Sequence, residues 1–356
     1  MLRGSQPPFA HERVAIDAAL DVGADLRLLL LRQLRKRRDG DLLAAQVADE
    51  RLEDLALHPR FADNHLVYFT YIKPVDANRG TPALARGRFE NGALLDVKDL
   101  VVTDPGPVGS SAVISRLVFG RDGKLYMSAG GNIGNLAQEP GSLRGKMLRL
   151  NADGTIPTDN PFYGTASGAN RAIWALGLRN PFTFALNPGG VPAMMINDVG
   201  QSTWEEGNVG GAGRNYGWPT TEGDFTPSGG NAGFTRPQFA YPHSGGTTTG
   251  CAITGGAFYA PPVANFPAQY QGVYFFADYC SGWIKYVDPT MDFLNRNAPT
   301  ITNFGRGSVI REMVSKHGML ARKGLSCEGE RCPAVERVDL SWFRPGFGPD
   351  SFFRGR

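Results

Sequence analysis

The segment Arg116–Leu–Val–Phe–Gly–Arg–Asp–Gly123, followed by Leu125–Tyr–Met–Ser128, decides the fold. An apolar run, an Asp-Gly turn and a second apolar run form a β-hairpin signal. Glycine supplies the positive φ of the turn, and β-branched and aromatic residues suit a pleated surface. The phrase recurs. Leu55–Ala–Leu–His–Pro–Arg–Phe61 leads into Val67–Tyr–Phe–Thr–Tyr71, and the run from Phe182 to Gly190 leads into Met194–Met–Ile–Asn197. A damaged copy, Pro345–Gly–Phe–Gly–Pro–Asp350, precedes Ser351–Phe–Phe353. The intact copies lie roughly 60–70 residues apart, the spacing of four-stranded blades with long loops. Hairpin sheets that cannot bury a face alone must stack. The recurrence favours radial stacking, a β-propeller, over a β-sandwich.

Composition agrees with an all-β chain. Glycine contributes 46 and proline 25 of 356 residues, too many for helix interiors and suited to frequent tight turns. A net charge of +3 gives no reason to expect a polyanionic partner, and the basic run Arg35–Lys–Arg–Arg38 reads as a solvated face. No apolar window reaches the ~18 residues of a membrane helix. The first ten residues lack the apolar core of an export signal. Three zones follow. Residues 1–54 have helical spacing (Ile16, Leu20, Leu26, Leu30, Leu34), residues 55–288 hold the turn-punctuated strands, and residues 289–356 are a basic tail with weak alternation. Four cysteines, Cys251, Cys280, Cys327 and Cys332, leave open whether they pair or remain thiols.

The long loops between hairpins carry the chemistry. Gly177–Leu–Arg–Asn–Pro181 offers in Arg179 a rigid fork for a carboxylate or phosphate. The run Asn197–Asp–Val–Gly–Gln–Ser–Thr–Trp–Glu–Glu206 offers carbonyls at Gly200 and Gln201 and carboxylates at Asp198, Glu205 and Glu206, oxygen donors of the kind Ca²⁺ takes. Gly213–Arg–Asn–Tyr–Gly–Trp–Pro219 places Tyr216 and Trp218 either against a planar ligand or in the core.

In this order these phrases resemble the glucose/sorbosone dehydrogenase family, soluble quinoproteins that use pyrroloquinoline quinone (PQQ). Also similar are the stretch from Ser142 to Phe162, Cys251–Ala–Ile–Thr–Gly–Gly256 and Tyr274–Phe–Phe–Ala–Asp–Tyr–Cys–Ser–Gly282. The resemblance runs from Leu55 to Asp288. It implies a six-bladed β-propeller whose first and last blades are incomplete here, and oxidation of an aldose or related polyol, with electrons passed on to an acceptor. By motif position Arg179 and Asn180 would contact PQQ, and Gly200 and Gln201 would bind Ca²⁺. Export is common in the family, which makes a Cys251–Cys280 disulfide reasonable.

The match breaks at one catalytic position. The family's histidine base falls on Ala112, and no histidine lies between His65 and His243. His243 is the candidate substitute. The alternative is a non-catalytic binding module on the same scaffold; a Ca²⁺-dependent lactonase fits the architecture but not the Gly177 and Asp198 phrases. The abrupt loss of pattern at both ends suggests a rearranged or frame-altered coding sequence.

Overall fold

The structure, a computed structural model, describes residues 52–107, 116–131, 134–189, 193–261, 267–288 and 301–306. The helical reading of the first zone, Ala112, Cys327, Cys332 and the damaged copy at 345–353 lie outside the described residues.

Mostly β, the described chain forms four antiparallel sheets in sequence order. The first comprises β1 (Leu52–Leu57), β2 (Leu66–Pro74), β3 (Arg79–Glu90) and β4 (Ala93–Val102), with β5 (Gly106–Pro107) added against β3. A one-turn helix, α1 (Phe61–Asn64), fills the β1–β2 connection. The second comprises β6 (Leu117–Phe119), β7 (Leu125–Ala129), β8 (Lys146–Leu150) and β9 (Ile173–Leu176). The third runs through β10 (Pro181–Leu186), β11 (Met194–Asp198), β12 (Trp204–Val209) and β13 (Phe239–Pro242). In the fourth, β14 (Ile253–Phe258), β15 (Tyr274–Asp278) and β16 (Trp283–Val287) are completed by β17 (Thr302–Arg306). Each of the three intact copies of the phrase is the first hairpin of a sheet: β1–β2, β6–β7 and β10–β11. The sheets reach slightly beyond the 55–288 span, to Leu52 and Arg306.

Successive sheets pack face to face. Tyr68 and Leu84 of the first meet Leu117, Leu125 and Leu148 of the second. Tyr126 and Met147 of the second meet Phe184, Met194 and Ile196 of the third, and Phe239 and Tyr241 of the third meet Tyr274, Phe276 and Trp283 of the fourth. Middle strands such as β15, Tyr-Phe-Phe-Ala-Asp, are buried on both faces, so they read as continuous apolar runs rather than alternating ones. Burying each such aromatic contributes about 1.5–3 kcal/mol. Phe276 lies 4.4 Å from Phe239 between ring centroids, and its truncation to alanine would cost about 3–5 kcal/mol.

First strands also face one another, β1 against β6 and β10 against β14. Arg116, just before β6, ties three of them together: Nη1 donates to the Glu53 carbonyl (3.2 Å) and Nε to the Phe182 carbonyl (3.2 Å). Because every sheet runs up and down, two sets of connections emerge at one end. These are the described parts of the segments preceding first strands (103–107 and 116, 177–180, 243–252) and of those joining second to third strands (75–78, 130–131 and 134–145, 199–203, 279–282). Backbone hydrogen bonds join them directly: Gly131 N to Arg179 O, Val199 N to Asn180 O, His243 N to Thr203 O and Tyr279 N to Ala252 O.

Candidate functional site

The site grows from the tight connection between β9 and β10. Gly177 holds φ +79°, and a Cβ there would lie 2.2 Å from Asn215 Oδ1, so only glycine fits. At the end of β11 the buried Asp198 carboxylate takes the next two amides, Arg179 N at 3.0 Å and Asn180 N at 2.6 Å. This pins the backbone beneath Arg179 and Asn180. The Arg179 side chain lies over the Trp218 ring, 5.8 Å from its centroid. Its Nη1 donates to two successive carbonyls, Val199 O at 2.8 Å and Gly200 O at 2.5 Å. Arg179 Nε and Asn180 Oδ1 are buried and have no hydrogen-bond partner among the described residues.

The facing loop, 199–203, is held from behind. Glu222 Oε1 accepts four successive amides: Gln201 (2.7 Å), Ser202 (3.1 Å), Thr203 (3.2 Å) and Trp204 (3.4 Å). Burial alone would raise the Glu222 carboxyl, but these N–H groups outweigh it and hold it below its ordinary range. Gly200 is sterically required, since a Cβ there would lie 1.6 Å from the Trp204 carbonyl oxygen. With its amides turned to Glu222, the loop presents the Val199 and Gly200 carbonyls to a single point, where the Arg179 guanidinium sits.

Three more acidic groups lie beneath. Burial pushes Asp198 up to about 7 and Glu205 and Glu206 up to about 8. Glu205 accepts Ile253 N at 2.8 Å, and its other oxygen meets His243 Nε2 at 2.7 Å. Glu206 accepts Gly223 N at 2.6 Å and Asn208 Nδ2 at 3.1 Å. The sequence offered all three as Ca²⁺ donors, but each carboxylate is turned inward to fasten one loop to another. Among the described residues no group of three or more His, Cys, Asp or Glu side chains is arranged to hold a metal.

Arg179, Asn180 and Gly200 come together at one spot, and Gln201 adjoins it. Tyr216 does not: it is core, its hydroxyl bonded to Val209 O at 2.7 Å. His243 is anchored to the cation-facing loop through Thr203 and oriented by Glu205. Cys251 and Cys280 are joined by a disulfide, their Cα atoms 5.7 Å apart. Sequence reading gave no role to several supports. Gln138 and Asn215 exchange reciprocal side-chain hydrogen bonds (2.9 and 2.8 Å), fastening 130–145 to the loop before β13. Lys146 is fully buried and donates to the carbonyls of Leu136, Ala137 and Arg144, and burial lowers its ammonium to about 7. Such partners are distant in sequence and carry no local signature.

The geometry offers a cation for a carboxylate, an indole face for a planar group and converging carbonyls for a hard metal ion. Comparison with known proteins identifies the family. The Glucose / Sorbosone dehydrogenase family model matches residues 42–314, and the chain belongs to that family. It is 32% identical over 267 residues to the aldose sugar dehydrogenase YliI of Escherichia coli (strain K12), covering 72% of this chain and 67% of that one. Among solved structures it is similar to the apo-form of the soluble aldose sugar dehydrogenase from Escherichia coli. There the TM-score is 0.58 and the identity 27%, over 73% of this chain and 74% of that one. It is also similar to the PQQ-bound aldose sugar dehydrogenase of Streptomyces coelicolor, with TM-score 0.53 and 25% identity over 72% and 67% of the two chains.

Proposed function

We propose that the protein is a PQQ- and Ca²⁺-dependent dehydrogenase of aldose sugars or related polyols, passing electrons to a separate acceptor. In this reading the four described sheets are blades of a six-bladed propeller, and the linked connections at one end form the mouth of its site. The observation that carries it is the pairing of Arg179 with the Gly200 loop: a half-satisfied guanidinium over an indole face, beside two carbonyls that converge on one cation. PQQ is a flat tricarboxylate, and that donor set fits it and a hard divalent ion. Arg179 and Asn180 would hold the cofactor, and the Gly200 and Gln201 carbonyls the Ca²⁺. The bound quinone supplies the acceptor for a hydride from the alcohol carbon.

The chain's own residues then supply orientation and proton transfer. His243 is the candidate acceptor of the hydroxyl proton. Nε2 faces the buried Glu205, and with Glu205 ionised and accepting the Nε2 proton, Nδ1 is the ring atom that would take it. Purified protein given PQQ and Ca²⁺ is expected to reduce a dye with a panel of aldoses, and His243→Asn to slow it by about 100-fold or more. Cofactor binding without turnover would instead favour a binding module on the same scaffold, which the alanine at position 112 supports.

A further inference from the structure

The Gly200 carbonyl has two claimants. In the structure Arg179 Nη1 sits 2.5 Å from that oxygen and 2.8 Å from Val199 O. A divalent cation on the same oxygen would face a guanidinium within a few ångströms, and two like charges cannot share one acceptor in a partly buried site. Resting on the functional reading above, we propose that Arg179 is a tethered stand-in for the metal ion, and that anion and cation load by exchange. A carboxylate of the planar ligand draws the guanidinium off the loop, and the freed Gly200 carbonyl accepts Ca²⁺ together with that of its neighbour Gln201.

Three features favour a swap over a fixed contact. The loop amides are committed to Glu222, so the carbonyls keep their aim when the guanidinium leaves. Arg179 Nε is buried without a partner among the described residues, so the arginine gains a hydrogen bond by turning to a carboxylate. Asp198 grips the Arg179 amide rather than its side chain, leaving the guanidinium free to turn. The two ligands are then positively coupled, and each must raise the other's affinity by the same factor.

Calorimetric titration tests this without turnover. In wild type, Ca²⁺ affinity is expected to rise at least about fivefold when PQQ is present, and PQQ affinity by the same factor with Ca²⁺. Arg179→Gln should bind Ca²⁺ alone more tightly than wild type, bind PQQ more weakly and show a smaller coupling factor. Arg214→Gln removes a charge whose Nη1 donates to the Val209 carbonyl, at the other end of β12 from the Gly200 loop, and should leave Ca²⁺ affinity unchanged. The exchange is overturned if Arg179→Gln binds Ca²⁺ alone no more tightly and keeps the wild-type coupling, because direct contact between the ligands would then explain it. Independent binding in wild type, which needs no variant to observe, also overturns it while leaving the functional reading intact. A wild type that binds neither PQQ nor Ca²⁺ overturns both.

Discussion

The connections at 75–78 and 199–203 occupy the same place in two sheets, each joining a second strand to a third, and both use a carboxylate to tie successive amides. In the first, the carboxylate comes from within. Asp76 accepts Asn78 N and Arg79 N and pairs with Arg79 Nε at 2.7 Å, all in solvent. In the second it comes from Glu222, beyond β12, and the loop also carries the Arg179 guanidinium. A loop tied by its own side chain is a surface turn. A loop tied from behind keeps its carbonyls fixed and turned outward, a prerequisite for holding a cation.

The contrast can be broken most strongly at Gly200. Gly200→Ala drives a methyl into the Trp204 carbonyl and is expected to cost about 3 kcal/mol or more in urea unfolding, with loss of Ca²⁺ binding. Glu222→Ala removes the rear tie and should cost about 1.5–3 kcal/mol by the same assay.

Acidity separates the regions further. Glu205 and Glu206 have folded values near 8 against an ordinary 4.5, so the folded state holds their protons more tightly than the unfolded chain. Their contribution to stability is full below about pH 4.5 and is lost as pH rises through about 8. Lys146, lowered to about 7, works with the opposite sign above that pH, so the decline is clearest between about 4.5 and 7. Glu206→Gln should flatten it in thermal melts across that range. The smallest effect belongs to the exposed turn, where Asp76→Ala is expected to leave the urea unfolding midpoint unchanged within error.

Hairpins such as β6–β7 were legible because their signal is local: two apolar runs and an Asp-Gly turn within 117–129. Arg179, Asn180 and Gly200 were legible as a motif in order. The strand Thr302–Arg306 was not, since Thr-Asn-Phe-Gly-Arg shows no alternation and joins its sheet only by pairing with β16. The acidic residues carry a signal that sequence leaves open. Asp198, Glu205 and Glu206 have the chemistry of Ca²⁺ donors, but burial and backbone N–H partners decide their use, and neither is written in local sequence. Glu222, in the Glu222–Gly223 pair that follows the Gly213–Pro219 phrase, had no legible role for the same reason: its partners lie about twenty residues upstream.

In the proposed function the Arg179 and Gly200 connections together form the cofactor mouth. A crystal structure of the protein soaked with PQQ and Ca²⁺ tests it most directly. The expected result is a planar ligand over Trp218 with a carboxylate on Arg179, and a metal ion on the Gly200 carbonyl in the place the guanidinium now holds. Ligand density elsewhere, with Arg179 still bonded to Val199 and Gly200, would contradict it.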